Sequence, residues 1–151
     1  MAKDKNKVIQ ETVESLFNSL GIEGSFDIEE NDEGADIIVD TKDSGILIGY
    51  HGDTLDSLQL IISLMVAKKL GEFKRITLEV GEYKKNRSEW LKSLALETKE
   101  KALLENREIF LPNLKSWERR VVHLELQEDD EVISESTGEG RERVLVVRPK
   151  S

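Results

Sequence analysis

The 151-residue chain has no cysteine. That excludes a disulfide framework, a thiolate metal site and a cysteine nucleophile, and it fits a reducing compartment. Histidine is nearly absent too: His51 and His123 stand alone, and no cluster of ligand residues accompanies them, so neither a metal nor a cofactor is expected. Long apolar runs are missing. The longest, Leu58 to Ala67, is interrupted by Gln59 and Ser63 and is too short to span a bilayer. The first residues, Met1-Ala2-Lys3-Asp4-Lys5-Asn6-Lys7, carry no signal-peptide core. These absences lead to the expectation of a soluble, cytoplasmic protein. Catalytic sets are missing as well. There is no Gly-Lys-Ser/Thr phosphate loop, and Ser44 and Ser116 have no visible base and suit helix caps better. The chain is not expected to be an enzyme.

Acid is abundant. The net charge is −9 and the pI about 4.9, which by itself argues against a generic nucleic-acid binder, because phosphate affinity comes from Lys and Arg. The charge is unevenly spread. Residues 1–80 carry 8 Lys/Arg against 16 Asp/Glu, whereas residues 81–151 carry 14 against 15. The second half is close to neutral and groups several of its arginines.

Hydrophobic periodicity divides the chain into two α+β units, 1–81 and 82–151. Helical spacing over residues 5–20 is followed by strands at Ser25 to Glu30 and Ala35 to Thr41, a hairpin turned by Asn31-Asp32-Glu33-Gly34. Asp43-Ser44 can cap a short helical turn, Gly45 to Ile48. A long helix then runs to Leu70, with Asp53 or Thr54 as its expected cap. Leu55, Leu58, Ile61, Ile62, Met65 and Val66 form its expected sheet-facing side. Leu60 and Leu64 lie on the other side and should meet another domain or subunit. Arg75 to Val80 alternates as a third strand. After Gly81 the pattern restarts: a helix from Lys84 to Asn106 with Trp90, Leu91, Leu94, Ala95, Thr98, Ala102 and Leu103 inward, and a short strand near Glu108 to Leu111. A helix capped by Ser116 comes next, then strands at Val132 to Ser136 and Arg143 to Arg148 joined by a Gly-rich loop.

Two short patterns carry chemistry. The first is Gly49-Tyr50-His51-Gly52, between a short helix and a long one. Glycines three apart let a backbone approach a ligand closely, and the loop opens on a helix N-terminus, which favours phosphate. Spacing alone is weak evidence: with 10 glycines roughly 0.7 such pairs arise by chance, and Gly21-Ile22-Glu23-Gly24 is a second one that reads as a turn. A ligand-free turn is the alternative for the first as well. The second pattern is Arg119 and His123, four apart and therefore on one helix face. Arg120 lies beside them, and Arg141, Arg143, Arg148 and Lys150 would add a basic patch if the hairpin folds back. A packed histidine and an Arg paired to a local acid are the plain alternatives.

The order helix, strand, strand, short helix, Gly-x-x-Gly loop, helix, strand (α-β-β-α-α-β) resembles a KH domain of type II, whose loop clamps the backbone of single-stranded nucleic acid. The run Leu47-Ile48-Gly49-x-x-Gly52-x-Thr54-Leu55-x-x-Leu58-Gln59 carries that resemblance. Related loops often have Lys or Arg where this one has Tyr50 and His51; Tyr50 could stack on a base. Arg119-x-x-x-His123, followed by Ser134-Glu135-Ser136, Gly138-Glu139-Gly140 and Val144 to Pro149, resembles the Arg-xxx-His domain, a small α/β single-strand-binding module. Lys115-Ser116-Trp117 stands where its relatives usually have a Pro-containing entry and a Tyr. The ordered pair resembles the bacterial Jag (SpoIIIJ-associated) family, also called KhpB or EloR, over roughly residues 5–150. Full-length members often carry an additional N-terminal domain, which this chain is expected to lack. The resemblance implies single-stranded RNA (or DNA) binding linked to cell elongation and division, with a smaller KH-only partner. With the loop's own side chains and the hairpin arginines counted in, the expected contact residues are Gly49, Tyr50, His51, Gly52, Arg119, Arg120, His123, Arg141, Arg143 and Arg148. The alternative is a protein-interaction module that dimerises through the Leu60/Leu64 face.

Overall fold

The computed structural model describes residues 2–151; Met1, first residue of the expected first domain, lies outside them. The chain divides after Tyr83 into two compact units.

In the first unit, β1 (Gly24–Glu30) and β2 (Gly34–Thr41) form an antiparallel hairpin, and β3 (Arg75–Val80) joins β2 in parallel. Alternation sends Ala35, Ile37 and Val39 of β2 and Ile76, Leu78 and Val80 of β3 to one face, where all are buried. Helix α1 (Ala2–Leu20) covers that face with Ile9, Val13 and Phe17, and α3 (Asp53–Leu70) with Leu55, Leu58, Ile62 and Val66. The short α2 (Ser44–Ile48) adds Leu47. Each such fully buried Leu or Ile stabilises the unit by about 1.5–3 kcal/mol over exposure. Gln59 fastens α3 to the sheet's edge, its Oε1 accepting the Leu78 N–H at 3.0 Å. The other face of the sheet is acidic: Asp27, Glu29, Asp36, Asp40 and Glu79 alternate with the core positions.

The outer side of α3 differs from expectation. Ile61 does not join the core; it is exposed with Leu60 and Leu64. Ile61 and Ile62 sit about 100° apart around the helix, and the sheet takes only Ile62. Nor do Asp53 or Thr54 cap α3. The N-cap is Gly52, in the left-handed conformation. Asp43 stands at the N-cap of α2 but makes no side-chain cap bond; its Oδ2 accepts the N–H of Glu23 at 3.3 Å.

In the second unit, α4 (Tyr83–Glu105, its first residue still packed in the first unit) and α5 (Ser116–Leu126) pack on a three-stranded antiparallel sheet of order β4-β6-β5, formed by Ile109–Leu111, Val144–Pro149 and Val132–Thr137. Leu91, Ala95 and Ala102 of α4 and Val122 and Leu126 of α5 meet Ile109, Val132, Leu145 and Val147. Trp90, expected inside, is half exposed; the Arg87 guanidinium lies over its ring at 4.3 Å. Arg87 in turn pairs at 2.6 Å with Glu118, which is 1% exposed. The second oxygen of Glu118 accepts the Lys115 N–H at 2.9 Å. That bond caps α5, so Lys115 rather than Ser116 is the N-cap.

Candidate nucleic-acid interface

In the first unit the polar candidates gather at the Gly49–Gly52 loop. Both glycines have positive φ, +69° and +83°, a region that a Cβ strains. Space demands glycine as well. A Cβ on Gly49 would meet Thr54 Oγ1 at 2.1 Å, and one on Gly52 would meet the Tyr83 ring at 3.0 Å. This explains why Thr54 belongs to the motif: its side chain fills the room that Gly49 leaves. Between the glycines, Tyr50–Gly52 makes one 3₁₀ turn, with His51 also at positive φ, +48°. Non-glycine residues hold that conformation at a cost of about 1–3 kcal/mol where surrounding structure enforces it. The Tyr50 and His51 rings stack, centroids 4.0 Å apart at 29°. Tyr50 is 76% exposed. The loop thus presents an aromatic face at the N-terminus of α3, whose first N–H, that of Asp53, already donates to the Tyr50 carbonyl, and no Lys or Arg stands between its glycines. Asp53 and Asp56 already occupy the first turn of α3, which opposes a phosphate there.

In the second unit the basic candidates converge. Arg119, Arg120 and His123 of α5 line a cavity of about 480 Å³ with Ser116, Trp117, Ser136 and Arg143. No carboxylate is among these lining residues. The Arg119 guanidinium donates to the Leu114 carbonyl at 2.6 Å and to Ser116 Oγ at 3.2 Å. Both partners are neutral, so the bonds fix the fork without spending its charge. Arg143 donates to the Gly138 carbonyl at 2.9 Å. His123 Nδ1 lies 2.8 Å from the hydroxyl of Ser134.

The remaining candidates do not join this set. Arg148 and Ser136 lie on opposite faces of the sheet by strand alternation, and Arg148 pairs with Glu135 at 3.0 Å. Arg141 sits exposed in the 3₁₀ turn Gly140–Glu142 and is not one of the residues lining the cavity. The hairpin therefore folds Arg143, and not Arg148, toward the helix. Ser116, Trp117, Ser134 and Ser136 stood inside or beside the motif in sequence but were not among the expected contact residues. Polar side chains at the core-facing positions of β5 were the available signal, since Ser134 follows the buried Val132 by two. Among the described residues, no three His, Asp or Glu side chains cluster to hold a metal, and no helix is long and apolar enough to cross a membrane.

A Gly-x-x-Gly loop seated between α2 and α3 over a three-stranded sheet, followed by an Arg-x-x-x-His face on a second α/β unit, defines a KH domain followed by an Arg-xxx-His domain. Sequence comparison agrees: residues 6–80 match the family of KhpA/KhpB KH domains, and residues 89–149 match the domain family named for its Arg-xxx-His pair. The chain is similar to proteins named RNA-binding protein KhpB. The identity is 34% over 142 residues in Clostridium symbiosum, 29% over 133 in Lactiplantibacillus plantarum and 24% over 140 in Bacillus subtilis. These matches take in 93%, 88% and 91% of this chain and span 64%, 41% and 67% of the respective relatives. The chain thus carries a KH domain of the KhpA/KhpB family followed by an Arg-xxx-His domain, consistent with the KhpB (Jag) family.

Proposed function

We propose that the chain binds single-stranded nucleic acid, RNA by the naming of its relatives, through two unlike sites. One observation carries this reading. In a protein of net charge −9, Arg119, Arg120, Arg143 and His123 surround a cavity whose lining holds no carboxylate. Such a cavity suits a phosphodiester backbone, with Arg119 and Arg143 pre-set by bonds to carbonyls. The Gly49–Gly52 loop contributes differently, through backbone N–H groups at close approach and a base stacked on Tyr50. Arg141 and Arg148 belong to outer contacts at most, Arg148 being engaged by Glu135. Each site alone binds weakly, and their tether raises the effective concentration of the second.

In the cell this reading makes the chain a cytoplasmic RNA-binding regulator, without enzymatic activity, linked to elongation and division. A second function has its own support. Leu60, Ile61 and Leu64 form an exposed apolar stripe on α3, with exposures of 60%, 44% and 59%, which suits a second KH domain, from a smaller KH-only partner or another copy.

Titration of a labelled single-stranded RNA at two salt concentrations tests the first reading. Binding that weakens with salt and with Arg119→Ala is expected. No binding at low salt, or affinity unmoved by Arg119→Ala, contradicts it. For the second, Leu60→Glu should reduce the mass of any self-complex in a sizing experiment; an unchanged mass removes homodimerisation through this face.

A further inference from the structure

The Arg119–His123 pair is half of a larger arrangement, because His123 does not stand alone on its helix. Its Nδ1 lies 2.8 Å from Ser134 Oγ on β5. Ser134 is 7% exposed, whereas His123 is exposed. The two residues lie on different elements, 11 positions apart, so the contact sets the imidazole against the sheet rather than within its own helix.

We propose that Ser134 is a positioning residue: it fixes the His123 ring so that Nε2 carries a hydrogen and offers it to a phosphate oxygen in the cavity. The inference rests on the nucleic-acid reading for its ligand, and on the Ser134–His123 geometry for its mechanism. A buried hydroxyl whose hydrogen lacks an acceptor costs free energy. The neutral imidazole supplies one at Nδ1, and accepting there places the ring's own hydrogen on Nε2. In the protonated ring, Nδ1–H donates to Ser134 Oγ and Nε2–H is retained. Either way the nitrogen left for the ligand is a donor, which a phosphate requires.

The neighbouring groups make a serine informative. A carboxylate at Nδ1 would hold a hydrogen there and turn the neutral ring's Nε2 into an acceptor, facing phosphate with a lone pair. Glu135, next in sequence, is kept away: it projects to the opposite face of the sheet and pairs with Arg148. The charged groups lining the cavity with His123 are Arg119 and Arg120 from α5 and Arg143 from the hairpin, all cationic. They have no capacity to accept a hydrogen bond, so none competes for the role given to Ser134.

The test uses the full chain and two readouts. Nitrogen-15 NMR of the imidazoles, with His123→Ala to assign the signals, reports which ring nitrogen carries the hydrogen without any ligand. Fluorescence anisotropy with a fluorescein-labelled oligouridylate reports affinity at low salt. The Nε2–H form should dominate in the parent chain, and Ser134→Ala should move the ring toward a mixture. Affinity should fall about three- to tenfold, Ser134→Thr should restore it, and Ser134→Ala added to His123→Ala should cost nothing further. An Nδ1–H ring in the parent, an unchanged ring in Ser134→Ala, or losses that multiply in the double variant would each overturn the inference. A tautomer shift with no binding by any variant supports the positioning and brings down the nucleic-acid reading instead.

Discussion

The Gly49–Gly52 loop and the Arg119–His123 face differ in what holds them and in what they offer. The loop is held by backbone conformation: two glycines and a strained His51, all at positive φ, wedged by Thr54 and Tyr83. It offers a stacked aromatic pair in acidic surroundings. The face is held by side chains: a buried Arg87–Glu118 pair caps its helix, a carbonyl and a hydroxyl pin Arg119, and Ser134 meets His123. It offers positive charge. A family motif can thus keep its backbone shape while the charge needed for the same ligand sits in a second domain.

The largest expected effect strikes the second unit. Glu118→Ala leaves Arg87, 10% exposed, without its partner and removes the cap of α5. Breaking a buried pair in this way costs about 3–5 kcal/mol. Urea unfolding should show the transition of the second unit moving while that of the first stays; an unmoved second transition would mean that side-chain pairing is not what holds the face. The converse change is Gly49→Ala, which should destabilise the first unit by about 2 kcal/mol through its φ and the clash with Thr54. If the first unit loses nothing, backbone shape is not its constraint. Tyr50→Ala should leave both transitions in place and lower RNA affinity about tenfold, the loss of one stacked base. Tyr50→Phe should bind like the parent, since the ring and not the hydroxyl is used. The smallest effect is a pH dependence. Hydrogen bonds from the Lys99 ammonium at 2.6 Å and then from the Glu131 N–H hold the Asp129 carboxyl below its ordinary value. A lowered carboxylate stabilises the fold above its ordinary pKa and loses that contribution as pH falls through the lowered one. The second unit should therefore weaken below about pH 4, and Asp129→Asn should flatten that limb of its urea midpoint against pH.

The comparison also separates what was legible in the sequence from what was not. Element order and most of both core faces could be read, because alternation in β2 and β3 and helical spacing in α1 and α5 are local properties. The caps could not. Gly52 caps α3 by its left-handed conformation and Glu118 caps α5 by reaching back to Lys115, and neither looks like the Ser or Asp that capping statistics favour. Trp90 reads as core until Arg87 is seen to cover its ring. Ile61 and Ile62 are interchangeable in sequence and opposite in burial. Within the candidate site, Arg119, Arg120 and His123 follow from helix spacing. Which hairpin arginine joins them depends on strand register and on where β6 begins, which selected Arg143 over Arg148. Ser134 was hidden because its partner is 11 residues away on another element.

The central claim is that the second unit supplies the charge for binding and the first supplies contact that salt does not screen. The slope of log affinity against log salt for single-stranded RNA tests it most directly, measured for the parent, Tyr50→Ala, and Arg119→Ala combined with Arg143→Ala. Each phosphate neutralised on a single strand contributes about 0.7 to the slope. The double arginine variant should therefore flatten it by about 1.4, while Tyr50→Ala lowers affinity at every salt concentration and leaves the slope unchanged. A slope that flattens in Tyr50→Ala and survives the loss of both arginines would contradict the account.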